Sequence, residues 1–421
     1  MYDQSFCRNS LERLIVKHDF LGIPAVDQAN HKVALLNDAV NSANLLFSNR
    51  SSLLTSFPVR RKPVYEFKHL ADELVCRKVM QNLKFWTRIR MQSRSQISIN
   101  LRLLLEEGVP YRVYRLDVQK FYESFPQDYV LTQASGINKL SPQTKGLIQS
   151  ILSSQAAVGG RGVPRGLTIS AILADFLMQI FDDEIRASAD VFFFSRYVDD
   201  IVVLTSAREL QNNFLRDVVE NSLPVGLTLN PRKRQIQGIL DRISSSTSEK
   251  SLLNFEYLGY RFSVRNPTTA ECGKLKPTTL RRIVSVDIAG SKLKKIKTRV
   301  VRSFIDFSES KDFDLLRDRI SYLTQNFSVF NPKVGGKKIA GIYFSYPLVD
   351  VEAPSLLELD RFLKNAILSK TGRVFSKSSL HLNGDKRRQL LHYSFAKGHL
   401  DKSFVHFSGQ RISDIQRCWK Y

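Results

Sequence analysis

Cysteine is scarce. Cys7, Cys76, Cys272 and Cys418 lie far apart and form no C-x-x-C pair, which excludes a disulfide framework and a thiolate zinc site and fits reduced thiols in a cytoplasmic protein. Long apolar runs are missing too. No stretch approaches the roughly 20 uncharged apolar residues that span a bilayer, so no membrane partner is expected. The opening, MYDQSFCRNSLERL, has no basic segment followed by an apolar one and does not read as a secretory signal. No repeat of fixed period occurs, which excludes a solenoid. Acid is short relative to base: 40 Asp+Glu face 63 Lys+Arg, a formal charge of +23. That excess favours a polyanionic partner, nucleic acid ahead of a membrane surface, because each neutralised phosphate releases condensed counterions.

What the chain does have is enough apolar residue, 43% of 421, to bury cores in two or three domains. Residues 1–58 mix short helical patterns, and from Arg60 to about Arg115 the sequence turns basic and partly helical. YRVYRLDVQKFYESF (111–125) has the β-branched and aromatic content of a strand running into a helix. Residues 167–187 predict one amphipathic helix. VFFFSRYVDDIVVLTS (191–206) reads as two apolar strands of a hairpin. A helix is expected from about Ala207 to Ser222, then a strand at FEYLGYRF (255–262), with a loop at 243–251 between them. Residues 271–302 hold ten Lys or Arg and two acids and read mostly as a basic helix. The remainder reads as largely helical.

Three constellations can carry chemistry. At the hairpin tip, Tyr197-Val198-Asp199-Asp200 puts two adjacent carboxylates on a tight turn between buried strands. Their repulsion is relieved by a divalent cation, and hard oxygen ligands suit Mg²⁺. Asp117 closes the strand YRVYRLD upstream. Two-metal phosphoryl transfer needs carboxylates from separate elements, one ion activating a hydroxyl and the other steadying a triphosphate. The third is Gly159-Gly160-Arg161-Gly162-Val163-Pro164-Arg165-Gly166, which opens the predicted helix at Leu167. Glycines let a backbone approach a ligand, and a helix N-terminus offers free N–H groups. No Gly-Lys-Ser/Thr closes this run, so it is not a P-loop.

Taken together, these residues resemble the palm motifs of reverse transcriptases. Asp117-x-x-Lys120-Phe121-Tyr122 resembles the A motif, Gly162-Val163-Pro164-Arg165-Gly166-x-x-x-Ser170 the B motif, and Arg196-Tyr197-Val198-Asp199-Asp200 the C motif. Gly226-Leu-Thr-Leu-Asn230-Pro231-x-Lys233 is similar to the D motif, and Tyr257-Leu258-Gly259-Tyr260 to the E motif, the primer grip. Arg196 and the compact length look like bacterial retron, group II intron and phage-defence enzymes. A long C-terminal region with Gly341-Ile-Tyr-Phe-x-Tyr346 looks most like the defence-associated, abortive-infection-like branch.

The resemblance implies an α+β right-hand polymerase. Residues 1–100 would form an N-terminal region and fingers, 101–262 a palm with an antiparallel sheet, and 263–421 a helical thumb and C-terminal extension. It implies RNA-directed DNA synthesis with two Mg²⁺ ions held by Asp117, Asp199 and Asp200, on a noncoding RNA template, in antiphage defence. The partners would be that RNA, the DNA product, dNTPs, and in some such enzymes a second polymerase subunit or another copy. Tyr122 stands where the family places its steric gate against a 2′-hydroxyl. Pro164, Arg165 and Gly166 would back the incoming nucleotide and template base, with Arg165 in place of a common Gln. Lys233 would sit near the triphosphate as a general acid. Arg88, Arg90 and Arg94, interleaved with aromatics, lie where fingers contact template and triphosphate, Tyr257 and Gly259 would grip the primer, and Lys294, Lys295 and Lys297 the backbone. A retron or intron enzyme is the alternative of the same chemistry, and a catalytically idle RNA-binding scaffold the alternative of another class. Asp182-Asp183-Glu184 is denser in acid but falls on a helix, where successive residues point different ways, so it is not read as the metal site. His392, His399 and His406, seven residues apart, do not have metal-ligand spacing on a helix.

Overall fold

The hairpin predicted around the paired aspartates forms one side of a four-stranded antiparallel sheet, with its second strand in the interior. The structure, a computed structural model, describes residues 2–90, 92–245, 249–272, 280–331, 336–372 and 374–420. These fall into two units, one made of residues 1–93 and 110–240, the other of 94–109 and 241–421.

In the first unit, helices Arg8–Glu12 and Gln28–Asn44 precede a two-stranded hairpin, β1 (Leu54–Val59) and β2 (Lys62–Phe67). Its turn residues Arg60 and Arg61 both have positive φ, the twist a two-residue hairpin loop requires. The main sheet joins β3 (Tyr111–Asp117), β4 (Val191–Tyr197), β5 (Asp200–Thr205) and β6 (Gln235–Ile239) in the order β4-β5-β3-β6. Ile201, Val202, Val203 and Leu204 of β5 are all fully buried. A strand with neighbours on both edges and cover on both faces must be apolar throughout rather than alternating. Helices Leu70–Thr87, Pro142–Ala157, Thr168–Leu177 and Gln179–Ala187 add to the core, with Leu74, Leu147, Leu173 and Phe181 buried. The single helix predicted over 167–187 is in fact two. Met178, at φ −89° and ψ −2°, breaks it, and its buried side chain keeps the apolar face continuous across the break. The helix expected from about Ala207 begins at Gln211 and is mainly a π-helical turn over Phe214–Glu220.

The second unit carries an antiparallel sheet of β7 (Leu253–Tyr257), β8 (Tyr260–Arg265) and β9 (Ile283–Ile288). The basic stretch 271–302, which the sequence predicts to be mostly helix, is divided. Residues 273–279 lie outside the described residues, 283–288 form β9, and the helix runs Gly290–Ser310. The strand reads in the sequence as IVSVDI, whose buried Val284, Val286 and Ile288 alternate with more exposed residues, the period of two that a half-buried strand shows. Arg282, also buried, donates to the carbonyls of Glu107, Val109 and Asp241. The longest helices of this unit are Gly290–Ser310 and Pro354–Leu368, followed by Arg94–Leu105 and Phe313–Thr324. A small sheet of β10 (Asn326–Asn331), β11 (Gly336–Gly341) and β12 (Phe404–Val405) interrupts the end expected to be largely helical. The α+β class expected from the sequence is the class observed. Among the described residues no helix is long and apolar enough to cross a membrane.

Candidate active site

Strand register decides where the three aspartates lie. β3 pairs with β5 so that Asp117 is the direct cross-strand partner of Asp200, and β4 pairs with β5 so that Tyr197 faces Asp200 across the hairpin. Asp199 occupies the turn itself, after Val198 at φ +61°, and its carbonyl accepts from the Val118 amide at 3.0 Å. The residues predicted as metal ligands therefore converge on one end of one sheet. Asp117 is buried. Its Oδ1 accepts from Lys233 Nζ at 2.7 Å and its Oδ2 from Asn230 Nδ2 at 3.1 Å. The D-motif segment is pinned there by its backbone as well, since the Asn230 amide donates to the Asp117 carbonyl at 2.7 Å. Pro231 begins a short 3-10 turn that Asn230 caps.

The electrostatics fit a cation. Burial pushes the Asp199 carboxyl up, and the charge of Asp117 pushes it further, against Lys233 and Lys62. Asp200 is raised by burial, then by Asp199 and Asp117, with Arg115 and Lys233 opposing. Lys233 is held protonated by its bond to Asp117, which outweighs its own desolvation. Carboxylates that resist ionisation because they are buried together are the ones a divalent ion stabilises. Among the described residues no three His, Cys, Asp or Glu side chains are gathered as a closed ligand set. The donors fit Mg²⁺ in kind, hard oxygens at one sheet end, and phosphate and water would supply its remaining ligands.

The glycine-rich loop packs over the same end. The Val163 amide donates to the Tyr122 carbonyl at 2.8 Å and the Tyr65 amide to the Arg165 carbonyl at 2.8 Å. Gly162 has φ +69°, and a Cβ there would stand 2.1 Å from the Tyr122 carbonyl oxygen, so only glycine lets the loop lie this close. The Ser170 hydroxyl donates to the Pro164 carbonyl. Arg165 binds Glu123 through Nε at 3.1 Å and Nη2 at 2.9 Å, and its guanidinium lies 5.0 Å from the centroid of the Tyr122 ring. The half-buried Tyr122 packs edge-on against Phe121, and burial raises its hydroxyl's pKa. A cavity of about 180 Å³ beside the loop is lined by Pro63, Tyr65, Glu123 and Arg165, among others.

This arrangement coincides with a match to a known family. Residues 75–262 match the family model described as reverse transcriptase (RNA-dependent DNA polymerase). Over these residues the chain is similar to reverse transcriptases. No curated protein matches the chain in sequence. Among solved structures it is similar to apo telomerase from Candida tropicalis, at 13% identity and TM-score 0.37 over 87% of this chain and 64% of that one. It is also similar to the same telomerase truncated from its C-terminal domain, at 14% and 0.33 over 50% and 53%. A third is telomerase from Candida albicans in complex with a TWJ fragment of telomeric RNA, at 13% and 0.33 over 87% and 61%. The chain thus spans between about half and just under two thirds of the length of these structures.

The other predicted contact residues are distributed over both units. Arg88 and Arg90, in the first, line a polar cavity of about 160 Å³ with Asp175, Asp182 and Arg196. Arg94 belongs to the second unit and is not part of that cavity. Its Nε donates to the Leu258 carbonyl at 2.6 Å, and its guanidinium lies over Tyr260 and Tyr346 at 5.1 and 5.7 Å. It therefore supports the Tyr257–Tyr260 turn. Tyr257 is buried, and Gly259 supplies the turn's φ of +83°. Lys294 and Lys295 are exposed on the helix Gly290–Ser310, while Lys297 pairs with Glu358 and lies over the Phe362 ring. Asp183 is exposed and pairs with Arg186. Asp182, by contrast, is bound to Arg196. His399 is buried against the Tyr346 carbonyl at 3.0 Å.

Sequence reasoning missed Asn230, Glu123 and Asp175 as participants. Asp175 carried a usable signal. It is a lone acid within the apolar run ILADFLMQI, and a carboxylate in such a place needs a partner, as does Arg196 among the aromatics of β4.

Proposed function

We propose that this chain is an RNA-directed DNA polymerase that uses two Mg²⁺ ions, with the first unit supplying fingers and palm and the second the thumb. The observation that carries the reading is the register placing Asp117 opposite Asp200, with Asp199 on the adjoining turn. Two Mg²⁺ ions, when bound there, activate a primer 3′-hydroxyl and offset the charge of the triphosphate and its leaving group. Asp117, Asp199 and Asp200 supply their oxygen ligands. Lys233 holds a proton at Nζ beside Asp117 and serves as the general acid for the departing pyrophosphate. The Tyr122 ring excludes a 2′-hydroxyl, and Pro164, Arg165 and Gly166 back the nucleotide. Arg88 and Arg90 hold template phosphates, the Tyr257–Gly259 turn with Arg94 against it supports the primer, and Lys294, Lys295 and Lys297 grip the backbone. The template is a noncoding RNA, and the setting is cytoplasmic antiphage defence. What supports that setting is the resemblance carried by Arg196 and Gly341–Tyr346.

Primer extension on an RNA template with dNTPs and Mg²⁺ tests the activity. Incorporation is expected with the unaltered chain and should be abolished by Asp199→Ala with Asp200→Ala, while circular dichroism and RNA binding stay near normal. Full activity in that double variant would sink the metal-ligand assignment. Sequencing the RNA and DNA that copurify tests the template, and phage plating on cells expressing either form tests the defence role.

A further inference from the structure

The acids next to the hairpin, Asp175 and Asp182, are engaged by Arg196 and are built around the turn that carries Asp199. Arg196 of β4 is almost fully buried, with its side chain 4% exposed. Its Nε and Nη2 hold the two carboxylate oxygens of Asp182 at 2.8 Å each, and its Nη1 holds Asp175 Oδ1 at 2.9 Å. The two acids come from the two helices that meet at Met178. Nη1 has a further acceptor, the Val198 carbonyl at 3.1 Å. Val198 is β-branched and sits at φ +61°, a conformation such residues rarely adopt unless their surroundings impose it. The next peptide is held as well, by the Val118 amide on the Asp199 carbonyl. The turn is thus clamped at two successive carbonyls.

A buried guanidinium with two carboxylates is a poor device for stability, since desolvation offsets most of the attraction. It is a good device for orientation, because the planar fork accepts only a narrow geometry. We infer that Arg196, aligned by Asp175 and Asp182, is a positioning residue that pins the strained Val198 peptide and so sets the carboxylate of Asp199 for the metal ions. The inference rests on the reading of Asp199 as a metal ligand. Its consequence is that Asp182, which reaches the turn only through Arg196, controls metal affinity.

The test is Mn²⁺ binding to the whole 421-residue chain, followed by electron paramagnetic resonance, together with kcat and KM for dNTP. Asp182→Asn and Arg196→Lys should weaken Mn²⁺ binding about 10- to 100-fold, the range for groups that orient metal ligands. They should lower kcat with little change in KM. Asp183→Asn, on the exposed side of the same helix, should leave both unchanged. The charge-balanced variant Arg196→Gln, Asp175→Asn, Asp182→Asn separates orientation from folding. It should unfold near the temperature of the unaltered protein and still bind Mn²⁺ weakly. A folded Asp182→Asn or triple variant with unaltered Mn²⁺ affinity overturns the inference alone, provided Asp199→Asn abolishes binding. If Asp199→Asn also leaves Mn²⁺ binding unchanged, the metal-site reading and this inference fall together.

Discussion

Replacing Lys294, Lys295 and Lys297 together with Gln probes the helix Gly290–Ser310 as a grip on the nucleic-acid backbone. Three lysines that each neutralise a phosphate would steepen the salt dependence of binding by three contacts. Lys297 is already engaged by Glu358 and stacked over Phe362, so its ammonium adds little to a phosphate and the ceiling falls from three to at most two. Each neutralised phosphate contributes about 0.9 to the slope of log K against log[salt] on a duplex and about 0.7 on a single strand. The triple variant should therefore flatten the slope by up to about 1.8 on an RNA–DNA duplex and about 1.4 on single-stranded RNA. Over a fourfold rise in salt, a slope difference of about 1.8 is roughly a tenfold difference in relative affinity. Fluorescence anisotropy with labelled nucleic acids of unrelated sequence, titrated at several salt concentrations, reads it directly. Lys297→Gln alone should change the slope little and cost no more than about 1 kcal/mol in stability, the range for an exposed ion pair. An unchanged affinity and slope in the triple variant would mean that the helix is a solvated face. A larger slope change from Lys297→Gln alone than from Lys294→Gln with Lys295→Gln would refute the reasoning about Glu358.

Tyr122→Ala should raise ribonucleotide incorporation relative to deoxyribonucleotide in competition assays, and an unchanged preference would place sugar discrimination elsewhere. Gly162→Ala forces a Cβ to 2.1 Å from the Tyr122 carbonyl oxygen; left-handed backbone alone costs an alanine about 1–2 kcal/mol, so a lower denaturant midpoint and loss of synthesis should accompany it. Glu209, whose side chain is almost fully buried, accepts from Arg112, the Tyr114 hydroxyl and the Thr205 hydroxyl. Glu209→Ala leaves Arg112 without its carboxylate and should destabilise the first unit by about 3–5 kcal/mol, seen as a fall in the thermal unfolding temperature.

Much of the site was legible in the sequence because its signals are local. VFFFSRYVDDIVVLTS marks its own strands and turn, and Asp117 ends a strand whose apolar pattern is plain. The β1–β2 hairpin was not legible, because its two-residue turn is Arg60-Arg61 rather than the glycine-containing pair that usually takes positive φ. β9 was hidden inside a stretch dominated by its basic residues. The break at Met178 has no proline or glycine to announce it.

Partnership between distant residues is the part that composition and spacing do not contain. The identities of Asp117, Asp199 and Asp200, the aromatic at Tyr122 and the excess of positive charge were determined by the sequence alone, since each is a property of one residue or a short periodic run. Only the tertiary structure decided that Asp182 turns inward to Arg196 while Asp183 faces solvent, that Arg94 supports the Tyr257–Tyr260 turn, and that Lys297 is occupied by Glu358. These choices depend on which side chains are brought within about 3 Å of one another after desolvation, where a charge must find a partner or be excluded.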